Sequence, residues 1–457
     1  MRPLPRRTPD LRPPLRSPLR TLLVTAVATV LVGAGLALAT APAQAENRVT
    51  PGDFTGYGFD QCLAPTQSKM DTWMEHSPFS SVGIYISGDS RACRSQPNLT
   101  PTWISRQLAN HWRILPITLG PQASCQPRFP RYGDDETINP TATNRYSKAR
   151  SQGLTEAAKA VTAAQALGIS PGSTLWYDLE GFDLANTRCR ESALYFLHAW
   201  TNRIHRLGYV SGVYSSAGSG IKMLDDARVK RPGTFALPDR IWIARWDGAA
   251  NTSTSYIRSD GWLPGGRVKQ YQGGHNETWG GVTINIDRNF LDLGRGSTLA
   301  PSNLHCGSVD VDLAAYPAMN ATTAPRATVR ALQCLLKEKR LYTGALDGTW
   351  SKTTVAAVNA WQRKTGVRVS GTWTKRSWVM LLSSGFSRTL KYGSAAPVVR
   401  RLQRALVAAT GTELAIDGVL FGSTQSLIRT WQGRVGLPQN GLMNTRAWSL
   451  LKQGTYY

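Results

Sequence analysis

Between residues 46 and 294 the apolar positions fall into eight short runs: Gly56–Asp60, Val82–Ser87, Ile114–Leu119, Thr174–Leu179, Val210–Ser215, Ile241–Trp246, Arg267–Gln272 and Thr283–Asp287. Runs of this length read as strands. Stretches with helical spacing lie between the earlier ones: Gln67–His76, Thr102–Trp112, Ala149–Leu167, Glu191–Leu207 and Ile221–Arg228. Strands alternating with helices predict a parallel sheet, and eight of them predict closure into a barrel. The connections that start at Asp247 and Gly273 are rich in Gly, Ser and Thr and predict no helix. The pattern is five strand–helix units followed by three strands, an α/β, TIM-like (β/α)5β3 barrel followed by two small three-helix modules.

The pattern changes after residue 294. Residues 295–325 hold Pro301, Pro317 and Pro325 among scattered Ala and Thr and read as a linker that contains Cys306. Residues 326–386 and 387–457 are two copies of one unit. Leu332-Gln333 recurs as Leu402-Gln403, Asp347-Gly348 as Asp417-Gly418, Trp361-Gln362 as Trp431-Gln432, Gly371 as Gly441 and Trp378 as Trp448, all at one offset. A shared offset marks duplication. Each copy reads as three short helices, with its tryptophans at core spacing. The copies resemble the small three-helix type of peptidoglycan-binding domain, through the Leu-Gln, Asp-Gly, Trp-Gln and following Gly. Some members of that family bind zinc. Neither copy here has a His, so no metal and no cofactor is expected.

The first 45 residues open with Arg2, Arg6, Arg7, Arg12, Arg16 and Arg20, continue as an apolar stretch from Leu22 to about Ala39, and end in Ala43-Gln44-Ala45. This is the pattern of a cleaved secretory signal peptide, so the mature protein is expected to be secreted, extracellular or wall-associated, and off the membrane. All six cysteines follow that site, and an even number in an exported chain favours disulfides. The net charge is +24. It is concentrated in residues 326–457, which carry 20 basic and four acidic residues. A basic module on an exported protein seeks an anionic polymer, and export favours a cell wall over nucleic acid. A monomer that binds peptidoglycan and anionic wall polymers is the expectation.

Candidate chemistry begins at Leu175-Trp176-Tyr177-Asp178-Leu179-Glu180-Gly181. Residues i and i+2 of a strand share a face, so Asp178 and Glu180 are expected side by side at its C-terminal end. Two adjacent acids push one toward the protonated form, and an acid beside a carboxylate is what glycosidic cleavage uses. Asp60 ends the first strand and Asp287 the eighth. In a barrel of this type all four would converge on the mouth. Tyr85, Tyr214 and Trp246, at strand ends, are candidate sugar platforms. No His-x-x-Glu or His-Glu-x-x-His spacing supports a zinc hydrolase, and paired cysteines disfavour a Cys–His nucleophile. Neighbouring loops on the barrel top pair Cys62 with Cys93 and Cys125 with Cys189, leaving Cys306 for Cys334.

Gly-x-Asp at Asp60, Asp-x-Glu at Asp178 and Glu180, Val-Tyr at Tyr214, Ile-Trp-Ile-Ala at Trp242, Gln-Tyr at Gln270 and Tyr271, and the closing Asp287 resemble the family-25 glycoside hydrolases, the N-acetylmuramidase lysozymes. Closer still, the segment is similar to a family of exported glycoside-hydrolase-like domains. The resemblance implies a cell-wall glycoside hydrolase. In it Glu180 is the general acid, Asp178, Asp287 and Asp60 support it, and Gln270 belongs to the substrate-binding set. The chain departs from typical lysozymes in its cysteine-bearing loops and in the insert between Cys125 and Asn144. The other reading is a non-catalytic wall-binding or wall-remodelling protein that keeps the barrel as a glycan cleft.

Overall fold

The structure, a computed structural model, describes residues 49–296 and 304–457. The expected signal peptide and the stretch 297–303 of the expected linker lie outside the described residues. In chain order the first part consists of β1 (Thr55–Asp60), α1 (Gln67–His76), β2 (Ser81–Ser87), α2 (Pro101–Ala109), β3 (Arg113–Thr118), α3 (Thr143–Ala166), β4 (Thr174–Asp178), α4 (Thr187–Arg206), β5 (Val210–Ser216), α5 (Lys222–Lys230), β6 (Arg240–Ala244), β7 (Arg267–Trp279) and β8 (Val282–Asp292). All five residues of β4 are buried. That is what a continuous apolar strand covered on both faces requires. The helices start at side-chain caps. Thr66 accepts from Lys69 N before α1, Thr100 from Trp103 N before α2, and Asn186 from Cys189 N before α4. α3 opens earlier than the periodicity predicts, but Asn144, Arg145 and Tyr146 have positive φ, so its regular turns begin after them.

The eight strands close into a barrel in the order β1-β8-β7-β6-β5-β4-β3-β2. Every pairing from β1 through β2 and round to β7 is parallel. β8 is antiparallel to both its neighbours. This corrects the expectation that Asp287 ends a strand pointing the same way as β1 and β4. The cause is local: Gly280 and Gly281, with φ of 58° and 78°, join β7 to β8. A two-residue loop with both φ positive is a hairpin turn, and it reverses the chain. The hairpin lengthens both strands, so Asp287 lies within β8.

The barrel's interior holds Trp176 and Trp242, edge to face at 5.5 Å, packed with Leu115, Val268 and Leu291. Outside the strands, Phe59 contacts Trp73, Phe79 and Trp112. Cysteine pairs Cys62–Cys93, Cys125–Cys189 and Cys306–Cys334 are all bonded, as loop adjacency predicts.

Six helices follow: α6 (Arg326–Glu338), α7 (Lys352–Thr365), α8 (Lys375–Ser383), α9 (Pro397–Thr410), α10 (Gly422–Arg434) and α11 (Thr445–Lys452). The duplication extends to individual hydrogen bonds. Gln333 Nε2 donates to Asp347 Oδ1 at 2.9 Å and its Oε1 accepts from Gly348 N at 2.9 Å. Gln403 makes the same contacts with Asp417 and Gly418, at 2.7 and 2.9 Å. The repeated Leu-Gln and Asp-Gly are thus one buried amide clamp. Trp361, Trp378, Trp431 and Trp448 are core residues, all buried.

The described part of the expected linker is packed rather than extended. Val309, Val311, Tyr316 and Met319 are buried in the helical core. Met319 bridges Trp373 just as Leu390 bridges Met443 in the second copy. Asp312 pairs with Arg400 and Arg404, at 2.7 Å for Arg400 Nη1 and 2.5 Å for Arg404 Nε. The second copy also docks on the barrel. Lys391, 1% exposed, donates to Trp73 O at 3.1 Å and Phe79 O at 2.7 Å.

Candidate active site

β1 and β8 bring Asp60 and Asp287 opposite each other. The β7–β8 register slips between Ile286 and Asn289, and Asp287 sits at that irregularity. A bulge of this kind re-aims a side chain. Asp60 is buried. It accepts from Asn289 Nδ2 at 2.6 Å and, with both oxygens, from Gln270 Nε2 at 3.2 Å. Burial, and then the Asp287 charge, push the Asp60 carboxyl above the usual range, while the two amide donors pull it back. Burial also raises Asp287, with His275 opposing.

Asp178 is the last residue of β4, and Glu180 lies two residues on, outside the ladder. A glutamine takes over where the strand stops: Gln122 Nε2 donates to Asp178 O at 2.7 Å and its Oε1 accepts from Glu180 N at 2.8 Å. Asp178 is buried, and its Oδ2 accepts from Tyr85 Oη at 3.1 Å, while Oδ1 has no partner. Burial, then the Glu180 charge, raise Asp178 well above an ordinary carboxylate. Glu180 is more open, and Arg128 Nη2 reaches its Oε2 at 2.9 Å.

Asp60, Glu180, Asp287 and Tyr85 line a cleft of about 290 Å³ at the barrel mouth, with Arg131 and Asn285 on its rim. Asp178 lies just beneath and feels both Glu180 and Asp60. The structure therefore brings together the four acids singled out in the sequence. Tyr214 is partly buried and donates to Gln270 Oε1 at 3.0 Å. Trp246 lies beyond the end of β6, is 67% exposed, and donates from Nε1 to the same oxygen at 2.9 Å. Its indole lies on Gly273, where a Cβ would come within 2.6 Å of the ring, so only glycine permits the contact. Gln270 is a correction. It is 2% exposed, and its amide is used up by Tyr214, Trp246, Asp60 and Asp287. It orients the acids from below.

Sequence reasoning missed Asn289, Gln122, Arg128 and Arg131. Asn289 had a signal, since it follows Asp287 by two on a strand and shares its face. Gln122 lies in a two-residue strand and the arginines in irregular chain, and they had none. Among the described residues one cluster has His, Cys, Asp or Glu ligand atoms within reach of one another, Cys306, Cys334 and Glu338, and its two sulfurs are bonded together.

Residues 71–291 match the Rv2525c-like, glycoside hydrolase-like domain. Residues 325–381 match the peptidoglycan binding domain family. No curated protein matches the chain. Three solved structures are similar over 52% of this chain. An uncharacterized B. stearothermophilus protein is 18% identical, with 95% of its chain covered and a TM-score of 0.31. The modular autolysin LytC from Streptococcus pneumoniae is 12% identical, with 46% covered and a TM-score of 0.32. A family 25 glycosyl hydrolase from Bacillus anthracis is 14% identical, with 89% covered and a TM-score of 0.30. The chain is thus similar to a glycoside-hydrolase-like domain over its barrel, whose mouth gathers four carboxyl groups, and to a peptidoglycan-binding domain over residues 325–381.

Proposed function

We propose that the protein is an exported glycoside hydrolase, lysozyme-like in chemistry, that cuts the glycan strands of peptidoglycan while its C-terminal modules hold it to the wall. The observation that carries this reading is the convergence of Asp60, Glu180 and Asp287 on one cleft, with the buried Asp178 coupled to two of them. In it Glu180, a partly exposed carboxyl on the cleft, protonates the leaving oxygen. Asp287 stabilises positive charge at the sugar carbon or holds the attacking water. Asp60 and Asp178, kept toward their protonated forms by burial, position these two. Tyr85 and Trp246 give the sugar rings flat surfaces. Three disulfides support an oxidising, extracellular location. The excess of basic residues in 326–457 supports attraction to anionic wall polymers.

One contact favours a second reading. Arg128 Nη2 lies 2.9 Å from Glu180 Oε2, so an oxygen that a general acid would turn to its substrate is already engaged. A barrel that binds glycan without cutting it would look like this. Digestion of purified walls, with reducing ends counted, separates the two. Glu180→Gln keeps the shape of the acid without its proton and should lower the rate by roughly 10²–10⁴-fold. Unchanged lysis by this variant removes Glu180 from the mechanism, and a wild-type protein inert on every wall leaves the binding role.

A further inference from the structure

The loop that follows Cys125 is firmly built. Cys125 is bonded to Cys189. Gln126 donates to the Gly181 carbonyl. Asp135 is buried, with Arg131 N donating to its Oδ2 at 2.7 Å and Ser90 Oγ to its Oδ1. Arg94 clasps Asp134 through two bonds, of 3.0 and 2.9 Å. Residues Gln122–Ala123 pair with Thr137–Ile138 at the loop's two ends. So many ties fix where the loop's side chains stand.

The frame delivers one cation, Arg131, to a cleft floored by acids and a second, Arg128, to the Glu180 carboxylate that lines it. Arg131 lines the cleft, its guanidinium 5.0 Å from the Phe129 ring centroid, and its charge reaches Asp178. Arg128 reaches Glu180 from the solvent side, with its side chain 63% exposed. An ion pair this open is weak and exchanges readily. A guanidinium fork fits one carboxylate as well as another. A carboxylate on an incoming ligand can therefore take the place of Glu180 on Arg128, and within the cleft it gains Arg131 as a second cation.

We propose that Arg128 and Arg131 are specificity residues for a carboxylate-bearing glycan, and that docking of the glycan's carboxylate draws Arg128 off Glu180. This rests on the glycan-cleft reading above and adds the class of sugar the cleft takes. It also gives the Arg128–Glu180 pair a purpose. A neutral sugar leaves Glu180 engaged, whereas an acidic one releases it.

Two soluble probes test this on the full mature chain by calorimetry at low salt. One is an N-acetylated amino-sugar oligosaccharide with a free lactyl carboxylate on alternate residues. The other is the same oligosaccharide with those carboxylates converted to methyl amides. The acidic form should bind about tenfold tighter, as loss of a charge-assisted pair predicts. Arg128→Gln and Arg131→Gln should each narrow the gap, and the double variant should bring it to about twofold or less. Arg128→Lys should keep part of the preference, since it keeps the charge without the fork. Unchanged thermal unfolding shows that the substitutions leave the fold intact. Equal binding of the two probes by wild type, or a full preference in the double variant, overturns the inference and leaves the glycan cleft standing. Binding of neither probe overturns both.

Discussion

Asp60 and Asp287 are direct cross-strand neighbours, although β1 opens the barrel and β8 closes it. Their closeness depends on β8 running against both its neighbours. A like-charged pair in that position cannot ionise independently. The amides of Gln270 and Asn289 bear on the same pair, so the four side chains form one unit.

Asp287→Asn removes the charge that helps hold Asp60 in its protonated form. The Asp60 carboxyl should then titrate at lower pH than in wild type, although burial keeps it above an ordinary aspartate. Carboxyl-carbon NMR or the infrared carboxyl band measures this. An unmoved Asp60 titration would mean that burial alone sets its proton affinity.

Asp178 is raised above its unfolded value, so the folded protein keeps a proton that the unfolded chain has lost. From about pH 4 upward, stability should therefore fall as pH rises, until the folded group itself ionises. The slope is at most about 1.4 kcal/mol per pH unit for one proton. Asp178→Asn cannot ionise and should lose that slope, gaining on wild type as pH climbs above about 4. Urea unfolding across this range gives the two curves, and parallel curves would refute the assignment.

Lys391 is buried between the second module and the barrel, 5.2 Å from the Trp112 ring centroid, and burial lowers its pKa well below the usual lysine value. The unfolded chain binds the extra proton over the window from that lowered value up to about 10, so stability should rise with pH there. Lys391→Met should flatten this rise. Lys391→Ala should cost about 2–4 kcal/mol, because it leaves a void and strands the carbonyl of Phe79. Hydrogen exchange at α1 should quicken in the alanine variant. A cost below about 0.5 kcal/mol, within the range of an ordinary surface change, would show that the lysine does not pin the module to the barrel.

Several features were legible in the sequence because they are local. Side-chain alternation along a strand is a property of neighbouring residues, so the eight apolar runs and the Asp178–Glu180 pair could be read directly. Duplication is visible as a repeated string, and the Gln333 and Gln403 clamps show what it preserved. Pairing of the cysteines followed once the strand order was in hand. Even the reversal of β8 had its signal, in Gly280-Gly281, which marks a hairpin to anyone reading the turn before the strand.

The tertiary structure alone decided the rest. No periodicity announces that Arg128 reaches Glu180, that Gln122 bridges Asp178 and Glu180, or that Gln270 is spent beneath the acids. Nor does it announce that Val309–Met319, rich in turn-forming neighbours, packs into a core, or that a lysine is buried against the barrel. Each of these pairs residues far apart in the chain. Their meeting depends on where whole elements come to rest, and that position is set by the summed burial of many apolar side chains rather than by any residue's own neighbours.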